Sequence, residues 1–307
     1  MVTSGSDPAH EESCFGFSVR SDLDFQYLRD GGGDRLEILE GNPPDRPPGE
    51  LLREWSPPFA PVPIRLYRDG GEFRLWVDDF GWIQVDPAWP RITVPRSVDP
   101  IRREERIWGT PITLCLLHRG DVPLHAACVE VEGKALLLAA PGRFGKTTLA
   151  AAFAQEGYRV LAEDLVCLRA GPRPAVIPGP AMLRVRKDVA NAFRIPGAVE
   201  VGRDGERAHW ALQSFRGTCA PVPVAGVALL LEGEGPPRLV RAPGPQAVRD
   251  LWALSFNLPT NEDRGRCFSA VAGLVASTRV WHFSRTLRLE ELPATIRCLM
   301  DAVKAQR

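Results

Sequence analysis

Lys146 and Thr147 close the run Ala140-Pro-Gly-Arg-Phe-Gly-Lys-Thr, and two acids, Glu163 and Asp164, follow 17 and 18 residues after the lysine. Glycines at this spacing let successive backbone N–H groups turn inward around phosphates, provided an apolar strand precedes the loop and a helix opens at its end. Both flanks are present, "KALLLAA" before the loop and "TTLAAAFAQE" after it. Gly142, Arg143, Phe144, Gly145, Lys146, Thr147 and Thr148 are therefore the candidate nucleotide-binding residues. Lys146 would reach the outer phosphates and the Thr147 hydroxyl would ligate Mg²⁺, with the helix N-terminus adding its dipole. Arg143 and Phe144 are bulkier than the residues such loops usually carry. The competing interpretation is a chance Gly-Lys-Thr at a loop-to-helix junction.

The acid pair supplies what phosphate binding lacks. One carboxylate can hold the metal while the other accepts a proton from an attacking hydroxyl. Neighbouring residues on a regular strand point to opposite faces. Either one acid is structural, then, or the backbone kinks and both serve; a solvated acidic pair at a strand end is the remaining alternative. His125 enters by arithmetic. With Glu132-Gly133 as a two-residue hairpin turn, Val131 faces Lys134, partners sum to 265, and His125 lies opposite Ala140 at the start of the loop. There it could touch the transferring phosphoryl group or the metal.

The elements that must position these residues belong to an α/β fold. From residue 122 the chain reads as a hairpin, "HAACVEVEGKALLLAA", then a helix over Thr147–Glu156 stopped by Gly157, then the strand "YRVLAEDLVCL" as a parallel neighbour of the loop strand. "PVPVAGVALLLE" reads as a further strand, with "PQAVRDLWALSF" and "LEELPATIRCLMDAV" as helices, and the expected sheet is largely parallel. Residues 1–100 read as a small β-rich module broken by proline and glycine, with a turn at Asp69-Gly70-Gly71. Residues 101–120 look helical with an interruption at Pro111, and the boundary between the two units is placed near residue 100.

Composition narrows the function classes. The 307 residues contain 38 lysines and arginines against 38 aspartates and glutamates, so no global field favours nucleic acid or an anionic membrane. No apolar run is long enough for a bilayer, and the N-terminal "MVTSGSDPAHEESC" has no basic start followed by an apolar stretch. The seven cysteines form no C-x-x-C pair, which argues for reduced thiols in a cytoplasmic protein rather than a zinc ribbon or a disulfide framework.

"LHAACVEVEGKALLLAAPGRFGKTTLA" followed by "GYRVLAEDLVCL" resembles the HPr kinase/phosphorylase family and its bacterial relatives, which share a phosphate loop with the phosphoenolpyruvate carboxykinases. The resemblance spans about residues 122–300 and takes in "IPGPAMLRVRKD", similar to that family's Pro-Gly-rich segment with an arginine. It implies a P-loop HPr kinase/carboxykinase-like domain with a mixed sheet. It also implies Lys146 and Thr147 as the lysine and Mg²⁺-ligating positions, Asp164 as metal ligand, Glu163 as base and His125 near the γ-phosphate. Glu163 stands where the family usually has aspartate, and its carboxylate is displaced by about one C–C bond length. The C-terminal signature that supports phosphorylase activity is not recognisable. "CFGFSVRSDLDFQYL" and the β module that follows look like the opening of kinase-like relatives found with peptide-modification genes, including lasso peptide kinases.

Three motifs do not join this set. Asp79-Phe80-Gly81 precedes the phosphate loop, the reverse of the protein-kinase order, and reads as a hairpin turn. Trp55, Trp76, Trp82 and Trp89 read as the core of the β module rather than as a stacking platform. Arg119-Gly120-Asp121 carries no adhesion function.

Three functions remain. The first is an ATP-dependent kinase acting on a hydroxyl, typically serine, of a peptide or protein such as a ribosomal precursor peptide, or on a small-molecule hydroxyl. Lys146, Glu163 and His125 are its catalytic residues, and Arg184 or Arg186 holds nucleotide or acceptor. The second is a nucleotide-binding regulatory protein that has lost catalysis, and the third a nucleotidyl or phosphate transferase using the same site. The β module is the expected place for acceptor recognition, and a homo-oligomer is compatible with all three.

Overall fold

The computed structural model describes residues 11–42, 48–56, 62–96, 99–203 and 206–305. The N-terminal stretch read for a leader lies largely outside them. Residues 12–94 build a nine-stranded sheet in the order Arg29–Asp30, Glu12–Cys14, Phe17–Arg20, Asp34–Glu40, Arg91–Val94, Gly81–Asp86, Glu72–Val77, Ile64–Asp69, Glu50–Trp55. The Gly70-Gly71 turn joins Asp69 to Glu72 as expected. Asp79-Phe80-Gly81 is a hairpin turn in which Val77 faces Gly81, and Asp79 binds Arg102 and Arg106.

Of the four tryptophans only Trp55 packs, partly buried, against the core of this sheet. Period-2 alternation sends Leu75, Val77, Ile83 and Val85 inward and leaves Trp76 and Trp82 half-buried on the other side. There they pair across strands with centroids 5.2 Å apart, while Trp89 is 77% exposed. The buried layer is aliphatic, with Phe15, Phe17 and Tyr27 added from the first strands and their connections.

Between the sheets lie two helices, Pro100–Ile107, capped by Asp99, and Thr110–Arg119. Pro111 sits in the first turn of the second, where its missing N–H costs nothing. Glu104, 1% exposed, accepts from the backbone N–H groups of Gln26 (2.7 Å) and Tyr27 (3.0 Å) and from Trp108 Nε1 (3.1 Å). Burial pushes its carboxyl from the ordinary 4.5 up to about 7 despite these donors. A raised acid binds more protons folded than unfolded. Its contribution to stability is present below 4.5 and lost as the pH rises through about 7. Melting temperatures should therefore fall across that window, and Glu104→Gln should flatten the slope. Identical slopes in the variant and the wild type would contradict this assignment.

The second nine-stranded sheet carries the loop strand, Lys134–Ala139. On one side it pairs antiparallel with the hairpin strand Ala126–Val131, and on the other it runs parallel to Val222–Glu232, itself parallel to Arg279–Arg285. Leu136 and Leu138 pack toward the helices Lys146–Gln155 and Leu292–Lys304. Leu137 and Ala139 pack toward Gly244–Ala253 and Asn261–Ser277. Cover on both faces explains the uninterrupted apolar run before the loop. A three-stranded sheet, Met182–Arg186, Arg207–Leu212 and Ala198–Arg203, completes the architecture.

Two expectations are corrected. The sheet is mixed rather than largely parallel, and "YRVLAEDLVCL" is not one strand beside the loop strand. It splits into Val160–Ala162 and Val166–Arg169, and the first part pairs antiparallel with Ala126–Val131. The hairpin's first strand, Ala126–Val131, already occupies that edge of the loop strand. Two antiparallel steps leave Val160–Ala162 running in the same direction as the loop strand, so both carboxyl ends still meet at one end of the sheet.

Arg29 ties the first sheet to the second. It is 1% exposed and donates to the carbonyls of Val160 (2.7 Å), Leu161 (3.3 Å), Gly179 (2.5 Å), Phe215 (2.6 Å) and Arg216 (2.7 Å). Leu165, Cys167, Ile177 and Met182 share one apolar cluster with the core of the first sheet. Deleting residues 1–100 would uncover that cluster and orphan those carbonyls, so the truncated chain is expected to unfold rather than to retain a separate nucleotide-binding unit. All seven cysteines are free and six are buried. No helix among the described residues is long and apolar enough to cross a membrane.

Candidate functional site

The loop leaves the strand at Ala140 and closes at Gly145, which has φ 70° and caps the helix beginning at Lys146. Arg143 also lies in the left-handed region, φ 71°, a conformation a glycine would adopt without strain. Its side chain is exposed, whereas Phe144 packs against the apolar cluster around Phe153. The two bulky residues are thus accommodated in different ways, one in solvent and one as an anchor for the loop.

Lys146 is 6% exposed and folds back over the loop, donating to the carbonyls of Ala140 and Pro141, both at 2.9 Å. Its Nζ is also 3.0 Å from His125 Nε2. The hairpin register is the expected one, with Ala126 opposite Ala139 and Val131 opposite Lys134, so His125 comes to lie beside Ala140. The His125 backbone N–H is fixed by the Leu254 carbonyl at 2.8 Å. Burial, aided by Lys146, lowers the His125 pKa against the pull of Asp164. A neutral ring that accepts the lysine proton at Nε2 carries its own proton on Nδ1, which faces Asp164 Oδ1 at 3.3 Å.

Of the alternatives for the acid pair, the chain adopts the kink. Asp164 has φ 68°, and this left-handed residue between the two short strands turns both carboxylates to one side. Arg184 binds both, Nε to Glu163 Oε2 at 3.0 Å and Nη2 to Asp164 Oδ2 at 3.0 Å, while Nη1 reaches Glu105 Oε1 at 2.6 Å. Arg186 points elsewhere and pairs with Asp188 on the surface. Thr147 Oγ1 donates to Glu163 Oε1 at 2.6 Å, so the loop hydroxyl meets Glu163 rather than Asp164, its expected partner at the metal. The Glu163 side chain has no exposed surface, whereas that of Asp164 is 43% exposed. Although burial pushes the Asp164 carboxyl up, Arg184, His125 and Lys146 together hold it below its ordinary range.

Lys146, His125, Asp164, Arg184, Glu163 and Thr147 thus form one continuous chain of polar contacts at the loop. Gly142 and Thr148 complete the loop without joining that chain. Thr147, Glu163 and Asp164 are hard oxygen donors of the kind Mg²⁺ takes. Among the described residues no three His, Cys, Asp or Glu side chains are grouped so as to hold a metal ion.

Sequence reasoning misses two residues. Glu105 belongs to a charged run, "IRREERI", that gives no sign of its reach to Arg184. Arg285 ends the strand Arg279–Arg285 and donates to the loop carbonyls of Phe144 (3.0 Å) and Gly145 (3.3 Å).

No family model matches the chain, and no curated protein matches it. Among solved structures, the Hpr(Ser) kinase/phosphatase from Coxiella burnetii aligns over 60% of this chain and 99% of its own, at 10% identity and a TM-score of 0.33.

Proposed function

We propose that this chain is an ATP-dependent phosphotransferase that moves the γ-phosphoryl group to a hydroxyl acceptor. The observation that carries the proposal is the unbroken contact chain from the phosphate loop through both acids to His125. Lys146 exchanges its loop carbonyls for phosphate oxygens when nucleotide binds. Mg²⁺ would be held by Thr147 and one acid, and would neutralise charge on the β- and γ-phosphates.

The accessibility of the two carboxylates favours roles opposite to those the family resemblance implies. Glu163 has one oxygen on Thr147, the other on Arg184 and no surface open to an acceptor, which suits the metal side. Asp164 is partly open, and His125 steadies one of its oxygens. It takes the proton of the acceptor hydroxyl as that oxygen attacks the γ-phosphorus and the bond to the ADP oxygen breaks. Arg184 keeps both carboxylates aimed. The acceptor is a serine-type hydroxyl of a peptide or protein, or a small alcohol, with the β-rich N-terminal sheet as the surface that recognises it.

The test is ADP formation and acceptor mass, with Mg²⁺ and ATP, across serine peptides and small alcohols. A gain of one phosphate on an acceptor, lost in Lys146→Ala, is the expected result. ADP release that needs no acceptor, or binding without turnover across the panel, would count against a hydroxyl-directed kinase.

A further inference from the structure

Arg285 is a buried cation placed directly behind the phosphate loop. It is 3% exposed and ends the strand that lies two places from the loop strand across the sheet. Among the described residues its hydrogen bonds all go to carbonyls, those of Thr286 (3.0 Å), Phe144 (3.0 Å) and Gly145 (3.3 Å), and its buried Nε has no partner there. A guanidinium in such a place ordinarily has a carboxylate beside it. The neighbouring loop lies close against it: a Cβ on Gly145 would come within 2.8 Å of Arg285 Nη2 and push the guanidinium aside, and the positive φ of Gly145 favours glycine independently.

We infer that Arg285 is the positioning residue that presets the loop for phosphate, acting through the two peptide groups it holds. In a trans peptide the C=O and the following N–H point in opposite directions. Drawing the carbonyl of Phe144 back toward Arg285, and that of Gly145 toward both Arg285 and the helical N–H of Leu149 (3.0 Å), turns the N–H groups of Gly145 and Lys146 the other way, into the concavity of the loop. Those are the donors a phosphate needs. The guanidinium also leaves a positive charge one peptide layer from the site, and a bound polyphosphate supplies the negative charge it lacks. Burial lowers its pKa to about 10, which still leaves it charged at neutral pH. Both effects grow with the number of phosphates on the ligand.

The inference rests on the nucleotide-binding interpretation of the loop and is tested on the full chain by calorimetric titration with ATP, ADP and AMP. Arg285→Gln is expected to weaken ATP by roughly 10- to 100-fold and AMP far less, the range of one or two charge-assisted contacts. Arg285→Lys, which keeps the charge but loses the fork, should fall between the wild type and the glutamine variant. In turnover the loss should appear in KM for ATP more than in kcat. A purely structural role would lower the melting temperature of both variants and leave nucleotide affinities within twofold, and that result would overturn the inference. If the glutamine variant does not fold, the lysine variant decides by the same criterion. Failure of the wild type itself to bind ATP would remove the nucleotide interpretation, and this inference with it.

Discussion

Arg184→Met is expected to cost the folded state roughly 3–5 kcal/mol, the range for breaking a buried ionic cluster from one side. Its three nitrogens each serve a different carboxylate, from Glu105, Glu163 and Asp164. The Glu163 side chain has no exposed surface, and of its hydrogen bonds among the described residues the one from the Thr147 hydroxyl would remain. Chemical denaturation measures the loss, and a double-mutant cycle identifies its source. Adding Glu163→Gln should recover part of the stability, because one of the stranded charges is then removed. A double variant no more stable than Arg184→Met alone would show that the cost lies in packing rather than in the acids.

Asp164→Asn carries the largest expected effect on turnover. Removing a positioned general base lowers kcat by about 10²- to 10⁴-fold. The amide keeps the size of the side chain and can still accept from Arg184, but its NH2 group then faces the His125 Nδ1–H, so a moderate fall in melting temperature is expected beside the much larger loss of turnover. Glu163→Gln is expected to behave differently, losing the Mg²⁺ dependence of ATP binding first and turnover as a consequence. The pair separates the two assignments of the acids. If Glu163→Gln leaves Mg²⁺-dependent binding intact and abolishes only kcat, while Asp164→Asn removes metal dependence, the roles implied by the family resemblance are restored.

Much of the site was legible because it is local. The loop lies between its strand and helix, and the hairpin register follows from counting across Glu132-Gly133, which both adopt positive φ. That count brought His125 to the loop across 21 residues of chain. The kink at Asp164 was recognisable only as one alternative, since the sequence gives no reason why an aspartate there should turn left-handed. What depends on distant pairing was not legible. Glu105 and Arg184 are 79 residues apart, and Arg285 meets the loop across 140. Arg29 looks like any arginine in a polar stretch, yet it is buried among carbonyls up to 187 residues away. The helix Asn261–Ser277 was within reach, with Cys267, Val271 and Leu274 buried at i, i+4 and i+7. The strand after it, "RVWHFSR", would then have brought Arg285 into view.

Equilibrium binding of ATP, with and without Mg²⁺, to the wild type and to Lys146→Ala tests most directly whether the loop holds a nucleotide. The phosphate cradle predicts saturable, Mg²⁺-enhanced binding that the variant weakens by roughly 10- to 100-fold, the value of a charge-assisted contact to phosphate. Folded wild-type protein that binds no nucleotide, or binds it equally well without Lys146, would contradict the account.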